Sequence, residues 1–180
     1  MFDVETLSTI AQLGLGLAGF SGIALVLTRG GAELTKLETD RLGIMLGASL
    51  GATFLSVLPL VLPDLGAAGC RIASTVMAAY TAGFLVYYVK ATLSMRHEAP
   101  ELVKPWPFGS VTAGHVVNLA LQIAASLALL DCSWAYLVGL FWLLFHGAFQ
   151  FGRILFIRPR PKSGMAGSAA DPDPARADSA

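Results

Sequence analysis

Residues 42–62 read LGIMLGASLGATFLSVLPLVL, a run without a single charged side chain. About 20 apolar residues in a helix are enough to cross the ~30 Å hydrocarbon core of a bilayer. None of the 12 basic and 12 acidic residues of the chain lies in this run or in four others of similar length, at residues 7–27, 72–89, 111–130 and 133–152. The sequence therefore predicts an all-α fold, a polytopic bundle of five transmembrane helices within residues 1–156.

The composition of the 180-residue chain supports this class of protein. Apolar residues make up 55% and charged residues 13%, whereas soluble domains carry about 25% charged residues. The five runs lack the alternation of apolar and polar residues that is typical of membrane β-barrels. The lipid bilayer is thus the expected surrounding. Equal numbers of basic and acidic residues give no overall basic surface, so no nucleic-acid partner is expected.

The distribution of Lys and Arg predicts the orientation. With five spans, segments 28–41, 90–110 and 153–180 lie on one side of the membrane, and they contain every basic residue except Arg71. The positive-inside rule makes that side cytoplasmic. We expect a multi-pass protein of the cell inner membrane with its N-terminus outside and its C-terminus in the cytoplasm. Residues 157–180, rich in Pro, Ala, Ser and Asp, are predicted to form a disordered cytoplasmic tail.

Small residues recur at helical spacing in the first two runs. They form two predicted packing faces, one of Gly14, Ala18 and Gly22 and one of Gly43, Gly47 and Gly51. Small side chains let helix backbones approach closely, which is the main source of helix association in lipid. The faces fit packing among the first three spans or association with a second copy of the chain. Leu17 and Phe20, on the opposite side of the first span, are expected to face lipid.

The string GLGLAGFSGI at residues 14–23, with Glu5 and Leu7 ahead of it, resembles the first span of a group of small multi-spanning bacterial inner-membrane proteins of uncharacterised function. The resemblance covers about the first third of the chain. It implies a bacterial inner-membrane setting, and it implies no reaction and no functional residues.

Polar residues form a stripe on each of the last two spans. Because residues three and four apart share a helix face, the stripes consist of His115, Asn118, Gln122 and Ser126 on one span and of His146, Gln150 and Arg153 on the other. The connection between the two spans is short enough to impose an antiparallel hairpin. The two stripes are therefore expected to meet, with both histidines in the cytoplasmic half of the membrane.

Three interpretations of these stripes remain open. Polar side chains in a membrane can join helices by hydrogen bonds. They can also line a path for a proton, an ion or a small solute, because ionisable residues within spans often mark such routes. The two histidines are, thirdly, candidate axial ligands of a haem.

No nucleotide-binding loop or zinc-protease motif occurs in the chain, and neither a catalytic residue nor a cofactor or metal site is predicted. The leading hypothesis is a small non-enzymatic integral membrane protein. It would serve as an accessory, scaffold or assembly subunit through helix packing with itself or with other membrane subunits. The alternative is a channel or transporter subunit with a polar path along the last two helices, and a bis-histidine haem protein is the remote alternative.

The two cysteines, Cys70 and Cys132, fall on different loops but on the same predicted side of the membrane. In a bacterium that side is the periplasm, where disulfides persist. Two outcomes are open: a disulfide that ties the start of the third span to the tip of the last hairpin, or two unpaired thiols in tight turns.

Overall fold

The computed structural model describes residues 3–29, 34–62, 66–98, 100 and 105–156. These residues form five helices: α1 (Val4–Arg29), α2 (Lys36–Val57), α3 (Gly66–Glu98), α4 (Pro105–Ser126) and α5 (Cys132–Phe156). No strand occurs among them. Each helix is long and apolar enough to cross a membrane. The predicted all-α fold with five spans is confirmed, whereas the predicted disordered tail, residues 157–180, lies outside the described residues.

Helix α2 begins before the predicted span 42–62, at a capping pattern, and its α-helical part ends before a proline. At its start the backbone N–H and the hydroxyl of Thr35 donate to the Glu38 carboxylate, at 3.0 and 2.7 Å, so the helix begins at Lys36. At the other end the α-helix stops at Val57 and a single 3₁₀ turn carries Pro59. Proline lacks the N–H that would continue the α-helical ladder, which explains the change.

Helix α3 is much longer than the uncharged run 72–89. It has 33 residues and continues past Lys90 and Arg96 to Glu98. The uncharged run ends at Lys90, but lysine and arginine are good helix formers. Their long side chains let a transmembrane helix continue into the polar headgroup region.

Helix α4 is shorter at its end than the predicted span 111–130. The backbone N–H of Leu129 donates to Ala124 O at 2.9 Å, and that of Ala128 donates to Ala125 O at 3.0 Å. These are the two bonds of a Schellman motif, which ends a helix with one residue in the left-handed conformation. Ala128 is that residue, with φ of 58°. Alanine and leucine both have high helix propensity. Residues 127–130, LALL, therefore contain no signal that predicts the end of the helix.

The glycine face of α2 packs against aromatic rings of α3. Three side chains fill the groove that three glycines leave open: Tyr87 at Gly43, Phe84 at Gly47 and Tyr80 at Gly51. A Cβ atom at Gly47 would lie 2.8 Å from Phe84 Cε2, too close for either ring or backbone to stay in place. The Tyr80 hydroxyl also donates to Gly47 O at 2.5 Å. The structure thus uses this face for packing within the chain.

The rotational setting of α1 differs in part from the expectation. Gly14 lies against α2, where a Cβ atom would be 2.7 Å from Ser49 O, and Ala18 is buried. Gly22 does not share this contact: no atom of the described residues lies within 4 Å of a Cβ built there. The expectation that Leu17 faces lipid is wrong, because Leu17 Cδ2 lies 3.1 Å from a Cβ built at Gly147 of α5. The helix is turned so that its buried side faces both α2 and α5.

The left-handed Ala128 gives a direct test of the α4 terminus. Replacing Ala128 by glycine should remove a conformational penalty of about 1 kcal/mol and raise the apparent melting temperature in detergent by about 2–4 °C. Ala124→Gly, inside the same helix, is the matched control and should lower it, because glycine is unfavourable in a helix interior. Equal effects of the two substitutions would contradict the assigned terminus.

Candidate functional site

A pair of histidines joins α4 to α5 in the interior of the bundle. His115 Nε2 lies 2.8 Å from His146 Nδ1, a hydrogen-bond distance. Both side chains are 0% exposed. The structure therefore brings together the two residues that lead the predicted polar stripes.

Gln150 extends this pair by one turn of α5. Its Nε2 lies 3.1 Å from His146 Nε2. Because an amide N–H donates, His146 Nε2 accepts, and a neutral His146 carries its proton on Nδ1. That proton is donated to His115 Nε2, so His115 carries its own proton on Nδ1. This nitrogen is buried and has no hydrogen-bond partner among the described residues.

Aromatic rings surround the histidine pair. The His146 ring meets Tyr88 edge to face, with centroids 5.1 Å apart. The His115 ring lies 5.4 Å from Phe84 and 5.8 Å from Trp142. Ring faces attract N–H groups through their quadrupole, so the surrounding aromatic rings favour the buried histidine pair.

A second group of polar side chains lies further along the hairpin. Gln122 Nε2 donates to Asn118 Oδ1 at 3.1 Å and to Ala135 O at 2.7 Å. Asn118 Nδ2 reaches the Thr81 hydroxyl of α3 at 3.4 Å. With the histidine pair and Gln150, this group forms the polar row, which we define as His115, His146, Gln150, Asn118, Gln122 and Thr81. The row extends over about 16 Å of helix length.

Two residues of the predicted stripes do not join the polar row. Ser126 donates to Ile123 O of its own helix at 2.7 Å, because the helix ends there and leaves that carbonyl open. Arg153 lies beyond Gln150, with its guanidinium carbon 5.9 Å from the centre of the Phe149 ring.

Several residues of the site were not predicted from the sequence. Thr81, Phe84 and Tyr88 come from α3, and no polar spacing marks them. Gly139, which has no side chain, leaves space for the amide groups of Gln122 and Asn118. A Cβ atom there would lie 2.7 Å from Gln122 Nε2 and 2.8 Å from Asn118 Oδ1. Its position, three residues before Trp142 on the same helix face, is the signal that could have identified it.

The geometry of the histidine pair does not fit two axial ligands of one haem. An iron between them needs about 2 Å to each nitrogen on opposite sides, but the two facing nitrogens are 2.8 Å apart and bonded to each other. Within the described residues, no three His, Cys, Asp or Glu side chains gather as a metal site would require.

The two cysteines form a disulfide at one end of the bundle. Cys70 at the start of α3 and Cys132 at the start of α5 have Cα atoms 6.1 Å apart, within the range of about 4.4–6.8 Å that such bonds need. The Ser74 hydroxyl contacts Cys132 Sγ at 3.3 Å. We call this the disulfide end. A cavity of about 840 Å³ opens here, with Val4, Arg71 and Asp131 in its wall.

The opposite end of the bundle carries Arg41 of α2 and Arg153 of α5, and we call it the arginine end. Arg41 is only 3% exposed. The sequence placed it outside the uncharged run 42–62, so its burial was not expected.

Comparisons with protein-family models, with curated proteins and with solved structures found no match.

The histidine hydrogen bond gives a testable coupling. His115→Leu or His146→Leu alone leaves the other ring buried without its partner, and each should lower stability. The double variant removes both groups, so its loss should be smaller than the sum of the single losses by about 0.6–1.7 kcal/mol. Apparent melting temperatures in detergent measure the cycle.

A second cycle is the control for this coupling. His115→Leu combined with Ser126→Ala should be additive within about 0.5 kcal/mol, because the two residues are about 16 Å apart along α4. Additive losses for His115 and His146 would contradict the bond.

Proposed function

We propose that this chain is a non-enzymatic integral protein of a bacterial inner membrane. It acts as a scaffold or assembly subunit by associating with a second copy of itself through one face of α1. The supporting observation is that this face is polar, carries small residues and lies open on the surface of the bundle.

The association face consists of Ser8, Gln12, Gly16 and Gly19, which share one side of α1. Gln12 is exposed, and its Nε2 reaches only as far as the Ser8 hydroxyl, at 3.4 Å. No atom of the described residues lies within 4 Å of a Cβ built at Gly16 or Gly19. A polar amide facing lipid is costly, and open glycines invite a second helix to approach.

A second copy of the chain suits this face better than an apolar partner. A glutamine amide has both donors and acceptors. Across a two-fold axis, Gln12 of one copy can therefore pair with Gln12 of the other, and the glycines of both helices allow close contact. Packing within the chain already uses the glycines of α2, whereas Cβ atoms at Gly16 and Gly19 of α1 would meet no described atom within 4 Å.

The proposed orientation places the disulfide end in the periplasm and the arginine end in the cytoplasm. Two independent features support it: the disulfide between Cys70 and Cys132 suits an oxidising compartment, and basic residues concentrate on the cytoplasmic side of membrane proteins.

Energy transfer between differently labelled copies in liposomes tests the proposed association. The wild type should show transfer, and Gly16→Leu/Gly19→Leu should abolish it without lowering the apparent melting temperature, because the added side chains meet nothing within the chain. Gly83→Leu is the matched control, since Gly83 of α3 is also exposed with nothing within 4 Å. Absence of transfer in the wild type, or its equal loss in Gly83→Leu, would contradict the proposal.

A polar path through the bundle is the second candidate function. It is favoured by the polar row, which contains buried atoms without partners among the described residues, namely His115 Nδ1 and Gln122 Oε1. It is opposed by the charges of Arg41 and Arg153 at one end, which repel protons and other cations.

Proton flux into liposomes separates the two functions. The scaffold predicts no flux above empty liposomes for the wild type or for His115→Leu/His146→Leu. A flux in the wild type that the double variant loses would establish the path in its place.

A further inference from the structure

Arg41 is a charged side chain enclosed within the bundle. It lies in the second turn of α2, and 3% of its surface is exposed. Its Nε and Nη2 atoms have no hydrogen-bond partner in the part of the chain that the structure describes. A buried cation without partners is strongly unfavourable. An anion bound at this position would offset the buried positive charge of Arg41.

Arg153 adds a second positive charge at the same end. It lies half-buried in the last turn of α5, against the Phe149 ring. The charges of Arg41 and Arg153 are close enough to act on each other. Like charges repel, and they do so more strongly where the dielectric constant is low. Two helices thus bring two positive charges together at this end of the bundle.

The acidic residue beside Arg41 in the sequence does not compensate it. Asp40 projects about 100° away around α2, and its charge acts on the Tyr87 hydroxyl of α3. It makes no hydrogen bond to Arg41 Nε or Nη2.

We propose that Arg41 and Arg153 together bind a phosphate group at the arginine end of the bundle. A guanidinium offers two parallel N–H donors whose spacing matches two phosphate oxygens, and the buried Nε and Nη2 atoms of Arg41, which lack a partner among the described residues, form such a pair. Phosphate is the chemistry shared by anionic phospholipid headgroups and by free phosphate. Basic pockets between transmembrane helices hold acidic headgroups in this way.

The depth of Arg41 suits a headgroup. It lies about 7.5 Å along α2 from Lys36, which places it one to two turns below the start of the helix, near the boundary between headgroups and hydrocarbon. The site does not include the association face of α1. Failure of one proposal would therefore not affect the other.

Thermal unfolding in detergent tests the site with three additives: phosphatidylglycerol, phosphatidylcholine, and inorganic phosphate against chloride at equal ionic strength. The wild type should be stabilised more by phosphatidylglycerol than by phosphatidylcholine, because the choline ammonium offsets the charge of the phosphate in the second lipid. Stabilisation by phosphatidylglycerol but not by inorganic phosphate would identify a lipid headgroup as the ligand. Stabilisation by both would show that the site binds phosphate from either source.

Substitutions at the site separate binding from a structural role. Arg41→Met should weaken the response to phosphatidylglycerol by roughly 30-fold or more in concentration. Without lipid it should be at least as stable as the wild type, because an uncompensated charge is removed. Arg153→Gln should weaken the response as well, which provides a second variant if the first folds poorly. Arg96→Met, an exposed arginine in the last turn of α3, is the matched control and should respond normally.

Three results would overturn the proposal: no stabilisation of the wild type by phosphatidylglycerol or phosphate, an unchanged response in Arg41→Met and Arg153→Gln, or an equal loss of response in Arg96→Met.

Discussion

A polar side chain inside the hydrocarbon core has no water to bond to, so each buried donor or acceptor needs a partner within the protein. In this chain the requirement fixes the α4–α5 hairpin. His115 and His146 bond at 2.8 Å, and turning either helix by one residue, about 100°, would carry its histidine away from the other. Because the same faces carry Asn118, Gln122 and Gln150, one hydrogen bond sets the position of the whole polar row.

The glycines of α2 determine what can pack around that hairpin. Gly47 accepts the ring of Phe84, and this ring in turn contacts both histidines, with centroids 5.4 and 5.7 Å away. Gly147 of α5 meets Ser49 of α2. The polar row and the apolar packing therefore depend on each other. A larger side chain at Gly47 would displace the Phe84 ring that packs against both histidines.

The helices could be predicted from the sequence because the absence of charge over five runs is a strong signal. Their ends were harder to predict. Thr35 and Glu38 carry a capping pattern, and α2 begins where that pattern predicts. The end of α4 depends on a left-handed residue, Ala128, a position where glycine or asparagine is usual and where alanine therefore gives no signal. The rotation of α1 depends on Leu17 reaching Gly147 of α5, a contact between residues far apart in the chain.

Within the candidate site, periodicity identified the residues that bond along and across α4 and α5, because helical spacing alone brings them to one face. It could not identify what α3 contributes, since Phe84 and Tyr88 look like ordinary lipid-facing aromatics. It also could not predict the burial of Arg41. A charged residue just outside an uncharged run is normally expected in water, and its burial here depends on how α2 packs in the bundle. The bundle therefore has two chemically different ends, one closed by a covalent bond and the other holding Arg41, whose Nε and Nη2 atoms have no hydrogen-bond partner among the described residues.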